Sequence, residues 1–217
     1  MKKRAIYCPI LLNITGKRCV VVGGGQVALR KVRMLLEHGA EVVVISPQLC
    51  PELSKLAESG EIRVLARDYL AGDLEEAFIA IAATDSKKTN RAVAREAKKQ
   101  AVLVNVVDEP EISDFIVPSH LRRGDIAIAI STSGRSPALA RKIRTRLEKE
   151  FGEEYAALAM LISAVRLEIK KQGIKLNGDA WQKAIDLDLM IDLLKKGDSQ
   201  KAKDTLLSEL KRQQGVR

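Results

Sequence analysis

Three consecutive glycines, Gly23-Gly24-Gly25, stand between an apolar run, Cys19 to Val22, and a stretch whose apolar residues recur at the helical period. No other feature constrains the fold as tightly. Residues 17–22 read as a buried strand. Val27, Ala28, Val32, Leu35 and Leu36 give a helix over 26–37 one apolar face, and Gly39 stops it. Glu41 to Ile45 is β-branched and reads as a second strand, ended by Ser46-Pro47. Strand, glycine turn, helix and strand within about 30 residues make the compact unit that a dinucleotide-binding fold requires.

The alternation continues. A helix is expected over 51–59, stopped by Gly60, then strands over 62–65 and 78–83, a helix over 87–100 and a strand over 102–107. This pattern predicts an α/β fold, a Rossmann-type doubly wound parallel sheet. After Pro110 the rhythm changes. Phe115–Val117 and Asp125–Ile130 read as two short strands of a hairpin around Gly124. Ser136-Pro137 opens a helix, with Ser as cap, Pro in the first position and Leu139, Ile143 and Leu147 along one face. Residues 151–172 and 180–210 are mostly helical, broken near Gly173 and Asn177-Gly178, so the C-terminal tail is expected to be all helical.

Composition excludes several classes. No apolar run is long enough to span a bilayer, and the basic start Met1-Lys2-Lys3-Arg4 leads into a short, proline-interrupted stretch without a cleavage pattern. A cytoplasmic protein without a membrane partner is expected. Aromatic residues make up 3% of the chain, too few for extensive base stacking, so no nucleic-acid partner is expected. Three separated cysteines without a CxxC pattern give no disulfide framework or zinc site, and no metal is expected; Cys19 reads as a small core residue. His38, before Gly39, reads as a residue of a helix end. The net charge is +9, and residues 122–149 hold eight basic residues against two acidic ones. That segment is either a solvated face or a dock for an acidic ligand.

Gly23-Gly24-Gly25-Gln26-Val27-Ala28 fits the G-x-G-x-x-G/A pattern. Gly23 allows the tight turn, Gly25 lets the backbone approach a pyrophosphate, and Ala28 keeps helix and strand close. The helix N-terminus then offers free N–H groups to the phosphates. The bland alternative is a structural glycine turn. Ser46, Pro47 and Gln48 are expected beside the adenosine ribose. Neither an acidic residue nor an arginine stands there, which leans only mildly to NAD over NADP. Thr84 and Asp85 end a later strand on the same edge; they either face the cofactor or cap the next helix.

Three blocks carry a family resemblance. Val20–Ala28 followed by Arg30-Lys31 resembles the opening of precorrin-2 dehydrogenase, the first module of siroheme synthase. Val104-Asn105-Val106-Val107-Asp108 with Phe115-Ile116-Val117-Pro118-Ser119 resembles its second signature. Ser131-Thr132-Ser133-Gly134-Arg135-Ser136-Pro137-Ala138-Leu139-Ala140 with Ile143-Arg144 resembles its third. The resemblance covers residues 17 to about 150 and implies a homodimer, NAD as hydride acceptor, precorrin-2 as substrate and sirohydrochlorin as product. It implies catalysis by Asp108, whose plain alternative is a turn residue in Asp-Glu-Pro. Some relatives also insert iron, and others carry a methyltransferase for which this chain is expected to be too short. The expected division is an NAD-binding Rossmann domain over 1–112, a dimerisation and substrate-docking region over 113–150, and a helical domain over 151–217. Ser131, Thr132, Ser133, Arg135 and Arg144 would meet the substrate carboxylates. His120 is either a proton relay or metal-handling group or an ordinary loop histidine. Two other readings stand beside the dehydrogenase: a bifunctional dehydrogenase and ferrochelatase, and a non-catalytic NAD-binding sensor.

Overall fold

The computed structural model describes residues 6–214; the basic start at residues 1–4 lies outside them. The chain forms two compact units, one up to Val117 and one from Pro118 onward. The first unit runs β1 (Arg18–Val22), α1 (Gln26–Glu37), β2 (Glu41–Ile45), α2 (Pro51–Glu58), β3 (Arg63–Leu65), β4 (Ile79–Ala82), α3 (Lys87–Lys99) and β5 (Leu103–Val106). All five strands are parallel, in the order β3-β2-β1-β4-β5. The strand order reverses beside β1, which opens a crevice between the carboxyl ends of β1 and β4.

Alternation of side chains along the central strands feeds two cores. Cys19, Val21, Val42, Val44, Ile79 and Ile81 face α1 and α2, where they meet Ala28, Val32, Leu35 and Leu53. Val20, Val22, Val43, Ala80, Ala82, Val104 and Val106 face the other side with Val93 and Ala97 of α3. Burial on both faces explains the unbroken apolar runs. It also pushes the Cys19 thiol up to about 11 and makes it a core residue. His38 closes α1, its Nδ1 2.7 Å from the Met34 carbonyl.

The outer edge of β5 is closed by side chains. Val104 N–H donates to the Asp114 carboxylate at 3.0 Å and Val106 N–H to Ser113 Oγ at 2.9 Å. Asp114 N–H returns to the Val104 carbonyl, and buried Asn105 Nδ2 holds the Phe115 carbonyl at 3.0 Å. This corrects the strand expected over Phe115–Val117: that apolar segment is pinned beside β5 and pairs with no hairpin partner.

The hairpin comes later, from β6 (Ser119–Arg123) and β7 (Ile126–Ile130), joined by Gly124-Asp125. Gly124 has φ +56, as a two-residue hairpin turn with glycine first requires. His120 therefore lies in a strand rather than a loop. In α4 (Pro137–Glu150), Ser136 Oγ accepts the Leu139 N–H, the expected cap. The buried residue of this helix is Ala140. The expected apolar face is not buried here: Leu139 is 51% and Ile143 37% exposed. Helices α5 (Glu154–Lys171), α6 (Gly178–Ala184), α7 (Leu187–Lys195) and α8 (Ser199–Gln214) complete the second unit around Leu158, Val165, Met190, Leu206 and Leu210. The mostly helical stretch expected over 180–210 is divided by Asp186, which caps α7, and by Gly197 at φ +81. The hairpin and α4 thus share a unit with the tail helices.

Candidate functional site

The crevice at the strand reversal is a cleft of about 660 Å³. Gly23, Gly24, Gly25, Gln26, Val27, Ser46, Pro47, Gln48, Thr84 and Asp85 all line it. Ala28 does not; it is fully buried and lets α1 pack closely on the sheet.

The three glycines have three different reasons. Gly23 has φ +129, and a Cβ there would lie 2.3 Å from the Ala83 carbonyl oxygen at the end of β4. Gly24 is required by packing: its Cβ would fall 1.8 Å from the Gln48 carbonyl oxygen, and its own carbonyl accepts the Cys50 N–H at 2.7 Å. Around Gly25 a Cβ would meet no protein atom within 4 Å. Gly25 caps α1 without a side-chain hydrogen bond, and the first turn holds no acidic residue. The unpaired N–H groups of α1, the positive end of its dipole and the empty space over Gly25 together fit a pyrophosphate.

The flanking loops are built rigidly. Ser46 is buried, and its hydroxyl donates to the Gln48 carbonyl at 2.6 Å, so its first task is to shape the turn under Gly24. Buried Asn90 grips the loop after β4 through Thr84. The cap of α3 is Ser86, whose Oγ accepts the Thr89 N–H at 3.2 Å, and neither Thr84 nor Asp85 takes that role.

The sequence reading missed one whole loop of the cleft. Asp68 and Tyr69, from the loop after β3, also line the cleft. Tyr69 Oη donates to Glu96 at 2.5 Å, and the same carboxylate accepts the N–H groups of Gly72 and Leu74. Burial, and then the hydrogen bond to Glu96, push the Tyr69 hydroxyl above its usual range. Arg67 binds Asp73 through both its terminal nitrogens, at 2.7 and 2.8 Å, and holds that carboxyl below its usual range. A scarce aromatic flanked by Arg67-Asp68 was the only signal for this loop. Among the described residues no lysine or arginine lines the cleft, whereas Asp68 and Asp85 do.

Asp108 lies outside that lining, in the turn after β5. It is exposed and has φ +61, a conformation unusual for a residue with a side chain. Val107 N–H donates to the Ala82 carbonyl and Glu109 N–H to the Val106 carbonyl, which holds the turn at the carboxyl edge of the sheet. The partly buried Lys31 of α1 feels its charge: desolvation and Arg30 lower the Lys31 ammonium, and Asp108 opposes them.

In the second unit, Ser131 Oγ accepts the Ser133 N–H, and Thr132 Oγ1 accepts the Ser136 N–H. Both hydroxyls thereby shape the loop ahead of α4. Ser133 has φ +52 and Arg135 is exposed. Much of the basic segment is internally paired: Arg144 with Glu148, Arg146 with Glu150, and Arg123 with Glu153 and the Phe151 carbonyl. Among the described residues no group of three His, Cys, Asp or Glu could hold a metal ion, and no helix is long and apolar enough to cross a membrane.

The family described as putative NAD(P)-binding matches residues 10–119, half of the chain, and the family described as sirohaem biosynthesis protein, central, matches residues 123–150. Siroheme synthase of Nitrosococcus oceani is 41% identical over 82% of this chain and 39% of its own length. Siroheme synthase of Chromobacterium violaceum is 44% identical over 76% of this chain and 35% of its own. The chain thus spans about two fifths of the length of the curated relatives it matches. A solved structure named "SirC, precorrin-2 dehydrogenase" shares the fold, with a TM-score of 0.69 at 23% identity over 95% of this chain and all of that one. With the glycine turn, uncapped helix and cleft in place, the chain belongs to the putative NAD(P)-binding family, and its residues 123–150 are similar to the central segment of sirohaem biosynthesis proteins.

Proposed function

We propose that this chain oxidises precorrin-2 to sirohydrochlorin with NAD as acceptor. The observation that carries the reading is the direct succession of an NAD(P)-binding match over 10–119 and a sirohaem-biosynthesis match over 123–150. The names of the relatives support it.

When bound, the nicotinamide supplies the acceptor for a hydride. The rest falls to this chain. Gly23 to Val27 and the α1 N-terminus hold the pyrophosphate. Ser46, Pro47, Gln48 and Asp68 border the adenosine half, and Thr84 and Asp85 border the nicotinamide half. Oxidation removes a hydride and a proton from the macrocycle, and the Asp108 carboxylate receives the proton. Lys31 keeps a cation near that carboxylate. Ser131, Thr132, Ser133, Arg135 and Arg144 receive carboxylate arms of the substrate, which carries eight. The protein acts in the cytoplasm as a homodimer formed through residues 113–150; exposed Leu139 and Ile143 on α4 support such a face.

The test is anaerobic incubation of the purified chain with precorrin-2 and NAD, following reduced nicotinamide and the sirohydrochlorin spectrum together. One NADH formed per sirohydrochlorin supports the reading; NAD binding without turnover would leave the sensor in its place. Light scattering of the eluting protein reads the dimer.

A further inference from the structure

A second cavity, of about 700 Å³, lies within the first unit and shares no lining residue with the cofactor cleft. Its cationic side is α3, where Lys88, Arg91, Arg95 and Lys98 fall on successive turns and Lys87 stands at the helix start. Ala94, Val104 and the 111–114 segment supply the rest.

Left to itself, this stripe is unfavourable. Like charges three and four residues apart weaken a helix. Lys87 and Lys88 sit in the first turn, which holds no acidic residue, against the positive end of the dipole. The acidic residue within α3, Glu96, is committed to Tyr69, Gly72 and Leu74. Arg91 pairs with Glu109 at 3.3 Å; no ion pair joins Lys87, Lys88, Arg95 or Lys98 to a carboxylate among the described residues. Of the two carboxylates in the lining, Asp114 is turned to the Val104 N–H. Local rules broken together in one cavity mark a site that an anion completes.

The lining also selects the kind of anion. Ala94, Val104 and Ile112 offer apolar surface between the cations, which a bare inorganic ion cannot use. Among the described residues no aromatic side chain lines the cavity for a nucleic-acid base to stack on. A flat apolar ring edged with carboxylates matches both parts. The geometry points to this groove as a binding site for a polycarboxylated tetrapyrrole, separate from the nicotinamide. The inference rests on the substrate class proposed above. One loop serves both places: it leaves β5 at Asp108, passes Glu109 bound to Arg91, and ends as Glu111 and Ile112 in the groove.

The test titrates the full chain with uroporphyrin, a stable octacarboxylate, reading its absorbance and fluorescence at low and high salt, with and without saturating NAD. Lys88→Glu with Arg95→Glu is expected to weaken binding at least about tenfold at low salt. Lys88→Gln with Arg95→Gln, which carries less risk to folding, is expected to weaken it less. NAD affinity stays at the wild-type value in both, and NAD does not compete. The inference is overturned if wild type does not bind, if both pairs stay within about twofold of wild type, or if inorganic phosphate displaces the porphyrin better than chloride at equal ionic strength. The titration needs no turnover. A wild-type chain that oxidises precorrin-2 but binds no uroporphyrin removes the groove alone, and wild-type groove binding without oxidation removes the dehydrogenase reading alone.

Discussion

Asn90 holds Thr84 by three hydrogen bonds: its Oδ1 accepts the Thr84 hydroxyl at 2.7 Å and the Thr84 N–H at 3.3 Å, and its Nδ2 donates to the Thr84 carbonyl at 2.9 Å. Asn90 is 4% exposed. One buried amide therefore fixes the loop that forms one side of the cofactor cleft. Asn90→Ala takes the side-chain partner from the Thr84 N–H and carbonyl, while the Thr84 hydroxyl keeps Ser86, and is expected to cost about 1–3 kcal/mol of stability. NAD affinity should fall as well, because the loop loses its shape. Urea unfolding and an NAD titration on one preparation check both; unchanged values in both would reduce the amide to a spectator.

Gly25 and Gly24 separate cofactor room from packing. Gly25→Val points into open space, so the fold should survive while NAD affinity falls at least about tenfold. Gly24→Ala drives a methyl into the Gln48 carbonyl and is expected to cost about 1–3 kcal/mol of stability. Thermal melts beside NAD titrations tell the two apart. A Gly25→Val protein that binds NAD as wild type does would take the glycine turn out of the site.

Asp68 supplies the negative charge that the end of β2 lacks. With Asp68 and Asp85 in the lining and no lysine or arginine there among the described residues, a 2′-phosphate meets repulsion without a partner. NAD is expected to bind more tightly than NADP. Asp68→Ala should narrow the gap roughly three- to tenfold, less at high salt, since exposed charges are screened. Dissociation constants for both cofactors at two ionic strengths decide it; a wild-type preference for NADP would contradict the reading.

Asp108 is the sharpest test of the chemistry. If it receives the substrate proton, Asp108→Ala should lower kcat roughly 10²- to 10⁴-fold with NAD binding intact. Asp108→Asn keeps size and polarity but removes basicity. Retention of activity by Asn alone makes the residue an orienting group, and retention by Ala leaves only a turn.

The sheet was readable because its signals are local. Cys19–Val22, Glu41–Ile45 and the residues after them alternate between buried runs and amphipathic periods, and the observed elements begin and end within a residue or two of expectation. The hairpin misled because Phe115–Val117 is apolar, while the real strand Ser119–Arg123 is polar and earns its place through pairing with Ile126–Ile130. Asp68 and Tyr69 reach the cleft from an irregular loop held by Glu96, 27 residues from Tyr69. The α3 cations border a cavity only because the 111–114 segment folds beside them, and no local pattern shows that approach.

The closed margin of β5 also governs what the protein avoids. At Val104 and Val106 the outward N–H groups are taken by Asp114 and Ser113, and at the opposite margin β3 is only three residues long. A foreign strand finds the β5 donors taken and only a short row at β3, so this α/β core resists the edge-to-edge stacking that begins aggregation.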